Sequence, residues 1–276
     1  MRTLIHLSDL HFGRVDAQLL APLIDRIATI QPDLVVVSGD LTQRARSDQF
    51  KAARDFLDAL PRPQIVVPGN HDIPMHNVFD RFVRPLQKYR RYISDDLEPA
   101  YIDGEIAVLG VNTARSATIK GGRINRDQLG RLRARMTSLP GGAIKVVVTH
   151  HPFDLPSHHQ NGDLVGRAPA AMQLFAECGV DLLLAGHFHA SHAGHTALRY
   201  RIGNYAAVAA QAGTATSTRG RGEANAFNLV RLDPSHIMVE RYEWDAGSRT
   251  FTSSHADAFT RTVGGWSRSI PGERAR

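Results

Sequence analysis

A single cysteine in 276 residues excludes a disulfide framework. That residue, Cys178, closes the stretch Phe175-Ala176-Glu177-Cys178-Gly179-Val180 and reads as a small core side chain, not a nucleophile. No apolar run is long enough to span a membrane. The first residues enter a strand-like run with Asp9 and two histidines nearby, unlike a secretory leader. These absences predict a cytoplasmic location. Internal repeats and extended low-complexity tracts are missing too. So are a separate DNA-binding extension and an RNP-like aromatic motif, and no nucleic-acid partner is expected.

What is present has the composition of a soluble enzyme, 42% hydrophobic and 22% charged. The formal net charge of +6 favours anionic partners: phosphorylated metabolites, nucleic acid or an acidic membrane surface. The plainer reading is a basic, solvated surface. The charge does not decide whether the chain self-associates, and a homo-oligomer stays open.

The first part alternates strand and helix. Residues 17–30 carry Leu19, Leu20, Leu23, Ile24 and Ile27 as one helical stripe, and 49–60 repeat the pattern with Phe50, Ala53, Phe56, Leu57 and Leu60. Further helices are predicted after Asn125, as cap, and over 168–178, with strands at 106–111 and 144–148. After His189 the period shortens, and 192–196, 198–202, 206–209, 226–232, 237–244 and 249–253 read as short strands. Two stacked sheets flanked by helices accommodate both halves in one domain over 1–263, with 264–276 as a loose tail.

Five strand-like runs end in polar residues. Leu4-Ile5-His6-Leu7 leads to Asp9 and His11, Leu34-Val35-Val36-Val37 to Asp40, and Ile65-Val66-Val67 to Asn70, His71 and Asp72. Val146-Val147-Val148 leads to His150, and Leu182-Leu183-Leu184 to His187 and His189. Strand ends in an α/β sheet gather distant side chains along one edge. Carboxylates, an amide and imidazoles converging there make an oxygen-and-nitrogen metal site. Each piece alone is weak, because His-x-His arises by chance among 14 histidines and Gly-Asp recurs at Gly162-Asp163 in a loop. The ordered set, with Gly39, Gly69 and Gly186 at its sharp turns, is specific.

The series Asp9-x-His11, Gly39-Asp40, Gly69-Asn70-His71-Asp72, His150 and Gly186-His187-x-His189 resembles the calcineurin-like metallophosphoesterase superfamily, in that family's order. The resemblance implies a four-layer α/β/β/α sandwich and two metal ions. Carried over, Asp9, His11, Asp40 and His189 hold one ion; Asp40, Asn70, His150 and His187 hold the other, with Asp40 bridging. His71 faces the substrate, supported by Asp72 or its neighbours. Two divalent ions about 3.5–4 Å apart share a hydroxide that attacks phosphorus in line, and no protein nucleophile is needed. His71 then acts as general acid or charge stabiliser at the leaving oxygen. The mixed donors suit Mn, Fe, Zn or Co better than calcium.

Within the superfamily the chain looks most like the bacterial cyclic nucleotide phosphodiesterase and glycerophosphodiesterase group, which implies a small soluble phosphodiester as substrate. Lipid A precursor pyrophosphohydrolases typically carry Arg where this chain has His71, which lowers a lipid- or nucleotide-sugar pyrophosphohydrolase reading. A nuclease or a non-catalytic metal-binding scaffold ranks lower still. Several further residues have two readings. Arg44 and Arg46 reach substrate phosphate or are solvated; His151 is substrate-facing or supports His150; Asn112 orients substrate or caps a turn; His158 and His159 border the site or line a surface loop. In 76–93, Phe79, Phe82, Tyr89 and Tyr92 interleave with Arg81, Arg84, Lys88, Arg90 and Arg91. The favoured reading is a helix interrupted at Pro85, with aromatics packed inward and basic residues facing water; the other is a basic-aromatic lid or membrane-resting surface.

Overall fold

Three parallel strands open the chain: β1 (Arg2–Leu7), β2 (Leu34–Ser38) and β3 (Gln64–Val67), joined through α1 (Ala17–Ile30) and α2 (Ser47–Ala59). The computed structural model describes residues 1–75, 77–118, 120–155, 164–218 and 222–269. α1 follows its apolar stripe, burying Leu19, Leu23 and Ile27, and the Asp16 carboxylate caps it by accepting from the Gln18 amide at 3.1 Å. Two short helices, α3 (Val78–Val83) and α4 (Gln87–Tyr92), lead to β4 (Ala100–Ile102), β5 (Ile106–Gly110), α5 (Arg126–Thr137), β6 (Ile144–Val148), α6 (Ala168–Cys178) and β7 (Leu182–Ala185). Asn125 caps α5 as expected, in a reciprocal box with Gln128. The rest is strand: β8 (His192–His195), β9 (Val208–Gln211), β10 (Ala226–Leu232), β11 (His236–Asp245), β12 (Thr250–Thr262) and β13 (Gly265–Arg268).

The strands form two mixed sheets, ordered β13-β12-β11-β10-β1-β2-β3 and β4-β5-β6-β7-β9-β8. β1 is an interior strand, with Leu4 paired to Leu34 of β2 and to Val230 of β10. Leu4, Val36, Ile65, Val108, Val146, Leu184 and Val230 make one apolar core between the sheets. α1, α2 and α4 cover the outer face of the first sheet, and α5 and α6 that of the second. The four-layer α/β/β/α sandwich expected from the sequence is the observed fold. β1, β2 and β3 run parallel to one another, as do β6 and β7, so within each sheet these C-terminal ends lie on one side, and the His150 ring on the Ser38 carbonyl joins the two sets.

Three expectations need correction. Residues 198–202 alternate like a strand, yet the Arg199 and Tyr200 amides both donate to the Thr196 carbonyl, making a 3₁₀ turn. The chain also continues as strand beyond 253: β12 runs to Thr262, and what reads as the start of a loose tail is β13. Trp266 anchors it, 2% exposed, with its indole N–H donated to Asp181 at 3.0 Å and the Arg261 guanidinium over its ring. Gly and Ser around one Trp gave no strand pattern to read. Finally, the aromatics of 76–93 split: Tyr89 is buried and Tyr92 stacks on Phe50, but Phe79 and Phe82 face outward and Arg81 faces in. His158, His159, Gly162, Asp163 and the last seven residues lie outside the described residues.

Trp266→Ala should cost about 3 kcal/mol, the usual penalty for truncating a buried Trp. Chemical denaturation measures it; an unchanged midpoint would show that β13 is not docked.

Candidate metal centre

All seven donors expected from the sequence converge at these joined strand ends, and each is buried or nearly so. Five of them, Asp9, His11, Asp40, His187 and His189, hold positive φ between 52° and 78°. Such backbones are costly for residues other than glycine and persist where the surroundings enforce them, typically at functional sites. The enforcement here is visible. The Asp9 and His11 amides donate to the carbonyls of Gly39 and Asp40 at 3.1 and 2.9 Å, knitting the first two strand ends together. The Gly186 amide donates to the His150 carbonyl at 3.0 Å on the second sheet. Gly39 turns the chain at φ +91°, and a methyl group on Gly186 would overlap the Ser8 hydroxyl.

The donor atoms fall into two groups. In the first, Asp9 Oδ1 lies 3.5 Å from His11 Nε2 and 3.4 Å from His189 Nε2, with Asp40 Oδ2 3.7 Å from His11 Nε2. In the second, Asp40 Oδ1 lies 3.4 Å from His150 Nε2, which is 3.1 Å from Asn70 Oδ1 and 3.3 Å from His187 Nδ1. Asp40 contributes one oxygen to each. Two donors about 2.1 Å from one ion, at tetrahedral or octahedral angles, stand about 3.0–3.4 Å apart, so these spacings suit a shared cation. Asp9 Oδ1 supports this directly: it is buried with no hydrogen-bond partner. Its twin Oδ2 is fully engaged, accepting from the Ser8 hydroxyl at 2.7 Å and the His187 amide at 2.9 Å. The donors therefore fit a dinuclear metal site.

Electrostatics point the same way. Burial disfavours both carboxylates, yet His11 and His150 hold Asp9, and His150 and His11 hold Asp40, below the usual carboxylate range. Burial also opposes charge on His150, but the adjoining Asp40 pushes it up to about 9. His187 shifts the other way, to about 4, through burial and the neighbouring His150. The carboxylates thus stay ionised beside a protonated His150, while His187 is kept neutral, an arrangement that cations would take over.

Asp72, expected to support His71, does something else. Its carboxylate accepts from the amides of Gly69, Leu41 and Thr42 at 2.9, 3.2 and 2.9 Å and from the Thr42 hydroxyl at 2.9 Å. It clamps the second and third strand ends together. Burial and the charge of Asp40 push it up to about 6 against the Gly69 and Thr42 donors. The His71 ring is steered by Gln43 instead, whose carbonyl lies 2.9 Å from Nδ1, and the His71 amide donates to Asp40 Oδ1 at 2.8 Å.

His151 and Asn112, each with two readings, have internal partners. Both His151 nitrogens are occupied, Nδ1 by the Thr113 hydroxyl at 2.8 Å and Nε2 by the Lys120 carbonyl at 3.0 Å, so the ring buttresses His150. Asn112 caps a turn by accepting from the Ala114 amide at 2.9 Å. Arg44 and Arg46 line a cleft with Arg14 and Gln43, next to His71. Sequence reasoning missed Arg14, Ser8, Gln43 and the Ser38 carbonyl, which lies 2.8 Å from His150 Nδ1 and fixes that ring. Backbone acceptors leave no side-chain signal. Ser8 stands directly before Asp9, and that adjacency was the one available hint.

A four-layer sandwich with Asp, Asn and His donors gathered at one strand-end edge defines a metallophosphoesterase. The chain belongs to the calcineurin-like phosphoesterase family, whose model matches residues 2–191. It is similar to the glycerophosphodiester phosphodiesterase GpdQ of Enterobacter lignolyticus, 27% identical over 64% of this chain and 69% of that protein. The 3',5'-cyclic adenosine monophosphate phosphodiesterase CpdA of Pseudomonas aeruginosa is 27% identical over 67% of this chain and 69% of its own length. Across the curated relatives, the match spans about half to about two thirds of their lengths. Among solved structures, purple acid phosphatase PPD1 of yellow lupin shares the fold with a TM-score of 0.71 at 11% identity, over 99% of this chain and 57% of that one.

Asp72→Ala strands three buried backbone amides and should destabilise the protein by about 3 kcal/mol. His71→Ala should leave stability within about 0.5 kcal/mol of the parent. Equal losses in paired denaturation curves would contradict this division of roles.

Proposed function

We propose that the chain hydrolyses a small phosphodiester at a dinuclear metal site, with Asp9, His11, Asp40 and His189 holding one ion and Asp40, Asn70, His150 and His187 the other. The observation that carries this reading is the double allegiance of Asp40, one oxygen to each donor group. Two bound divalent ions supply a water of lowered pKa and offset phosphate charge. Manganese, iron, zinc or cobalt match the mixed oxygen and nitrogen donors.

The protein's own groups do the rest. Ser8 and the His187 amide aim Asp9 Oδ1 into the site, and the Ser38 carbonyl orients His150. His71 stands beside the first donor group, its ring edge-on to His11 at 4.9 Å between centroids. With Nδ1–H directed at the Gln43 carbonyl, protonated His71 donates from Nε2 to the leaving oxygen. The cleft lined by Arg14, Arg44 and Arg46 sets guanidiniums beside His71, which suits an anionic phosphoester. The named activities of the relatives, on glycerophosphodiesters and cyclic AMP, support a phosphodiester over a pyrophosphate.

Manganese-loaded protein should hydrolyse bis(p-nitrophenyl) phosphate faster than p-nitrophenyl phosphate. In a panel of cyclic nucleotides, glycerophosphodiesters and nucleotide sugars, one of the first two classes should lead. Inertness toward every phosphoester would end the proposal, and a nucleotide-sugar preference would redirect it. Asp40→Ala should lose both ions together by elemental analysis, whereas His71→Ala should keep them while kcat falls about 10²–10⁴-fold.

A further inference from the structure

α3 is turned inside out. Its one buried residue is Arg81, 7% exposed, whose guanidinium donates to the carbonyls of Pro74, Ser116 and Thr118. Val78, Phe79, Phe82 and Val83 are 59–67% exposed, and Met75 just before the helix is 40% exposed. Spaced i, i+1, i+4 and i+5, the four form a single stripe. A helix docked only for stability would bury that stripe and solvate the arginine. Here three carbonyls hold the arginine down and keep the apolar face up. A contiguous apolar face of this kind marks a surface that meets something nonaqueous.

The surrounding charge identifies what. The Arg84 guanidinium lies 5.9 Å above the Phe79 ring. Val83, Arg84 and Arg90 line one cleft, so basic side chains stand beside the apolar stripe. Over 77–93 there are five basic residues (Arg81, Arg84, Lys88, Arg90, Arg91) and one acidic residue, Asp80. Arg81 and Lys88 point to internal carbonyls, whereas Arg84, Arg90 and Arg91 are exposed; Arg90 also reaches Asp95. A second copy of this chain, packed face to face about a two-fold axis, would set these arginines against their own images. An anionic lipid surface satisfies both components: acyl chains for the Phe and Val side chains, headgroup phosphates for the guanidiniums.

We propose that the exposed face of α3, with Arg84 and Arg90, docks the protein on an anionic phospholipid bilayer. This goes beyond the phosphodiesterase reading and does not depend on it, because docking is measured without turnover.

The test is cosedimentation of the full chain with vesicles of phosphatidylcholine mixed with phosphatidylglycerol, and with vesicles of phosphatidylcholine alone. The parent should bind the mixed vesicles, weaken as salt is raised, and leave pure phosphatidylcholine largely unbound. Arg84→Glu should reduce binding at least about fivefold. Phe79→Ser with Phe82→Ser should abolish binding while the thermal midpoint and bis(p-nitrophenyl) phosphate turnover stay at parent values. Parent protein that stays in the supernatant overturns the proposal. So does equal binding to both vesicle types, or binding unchanged in the double variant. Concentration-dependent dimerisation lost in the double variant also overturns it, and assigns the face to a second copy.

Discussion

The Asp40 carboxylate is the constraint around which both sheets are arranged. One oxygen faces His11 of the first sheet; the other faces His150 of the second and accepts the His71 amide. A carboxylate reaches both groups only if the strand ends are brought close and turned sharply, and that requirement accounts for the left-handed backbones at Asp9, His11, Asp40, His187 and His189. The strain is held by contacts between the sheets, such as the His150 ring on the Ser38 carbonyl and the Thr214 hydroxyl on the Asp9 carbonyl, 2.7 Å away. The close-packed apolar core between the sheets makes those contacts rigid.

Much of this is written in the sequence because the chemistry and the secondary structure share one signal. An apolar run that stops at Asp or His announces both a strand and what the strand carries, so the alternation through 17–30, 144–148 and 168–178 and the donors at its ends are legible together. Other features lack a local signal. The clamp made by Asp72 depends on amides thirty residues away, and Asn70-His71-Asp72 reads as easily as a catalytic pair. Periodicity locates the stripe of α3 without telling which side faces the protein; three carbonyls contributed from 74, 116 and 118 decide that. The 198–202 segment alternates correctly, but the Thr196 carbonyl captures its amides first.

Asp72 and Arg81 illustrate one economy of design. Each is a buried charged side chain, and each engages mainly backbone groups rather than an opposite charge. Such a residue fixes where loops lie without adding a net ion pair to the centre. The metal-facing side chains are thereby left to interact with one another and with what binds them.

The strand order has a consequence for synthesis. β1 is flanked by β2 on one side and on the other by β10, whose residues follow more than two hundred positions later. A nascent chain on the ribosome can lay down the parallel unit β1–β2–β3, but one side of β1 keeps its amides and carbonyls unpaired until residues 226–232 have emerged. That open edge is the segment most exposed to wrong pairing, and the strand that ends at Asp9 is completed among the last.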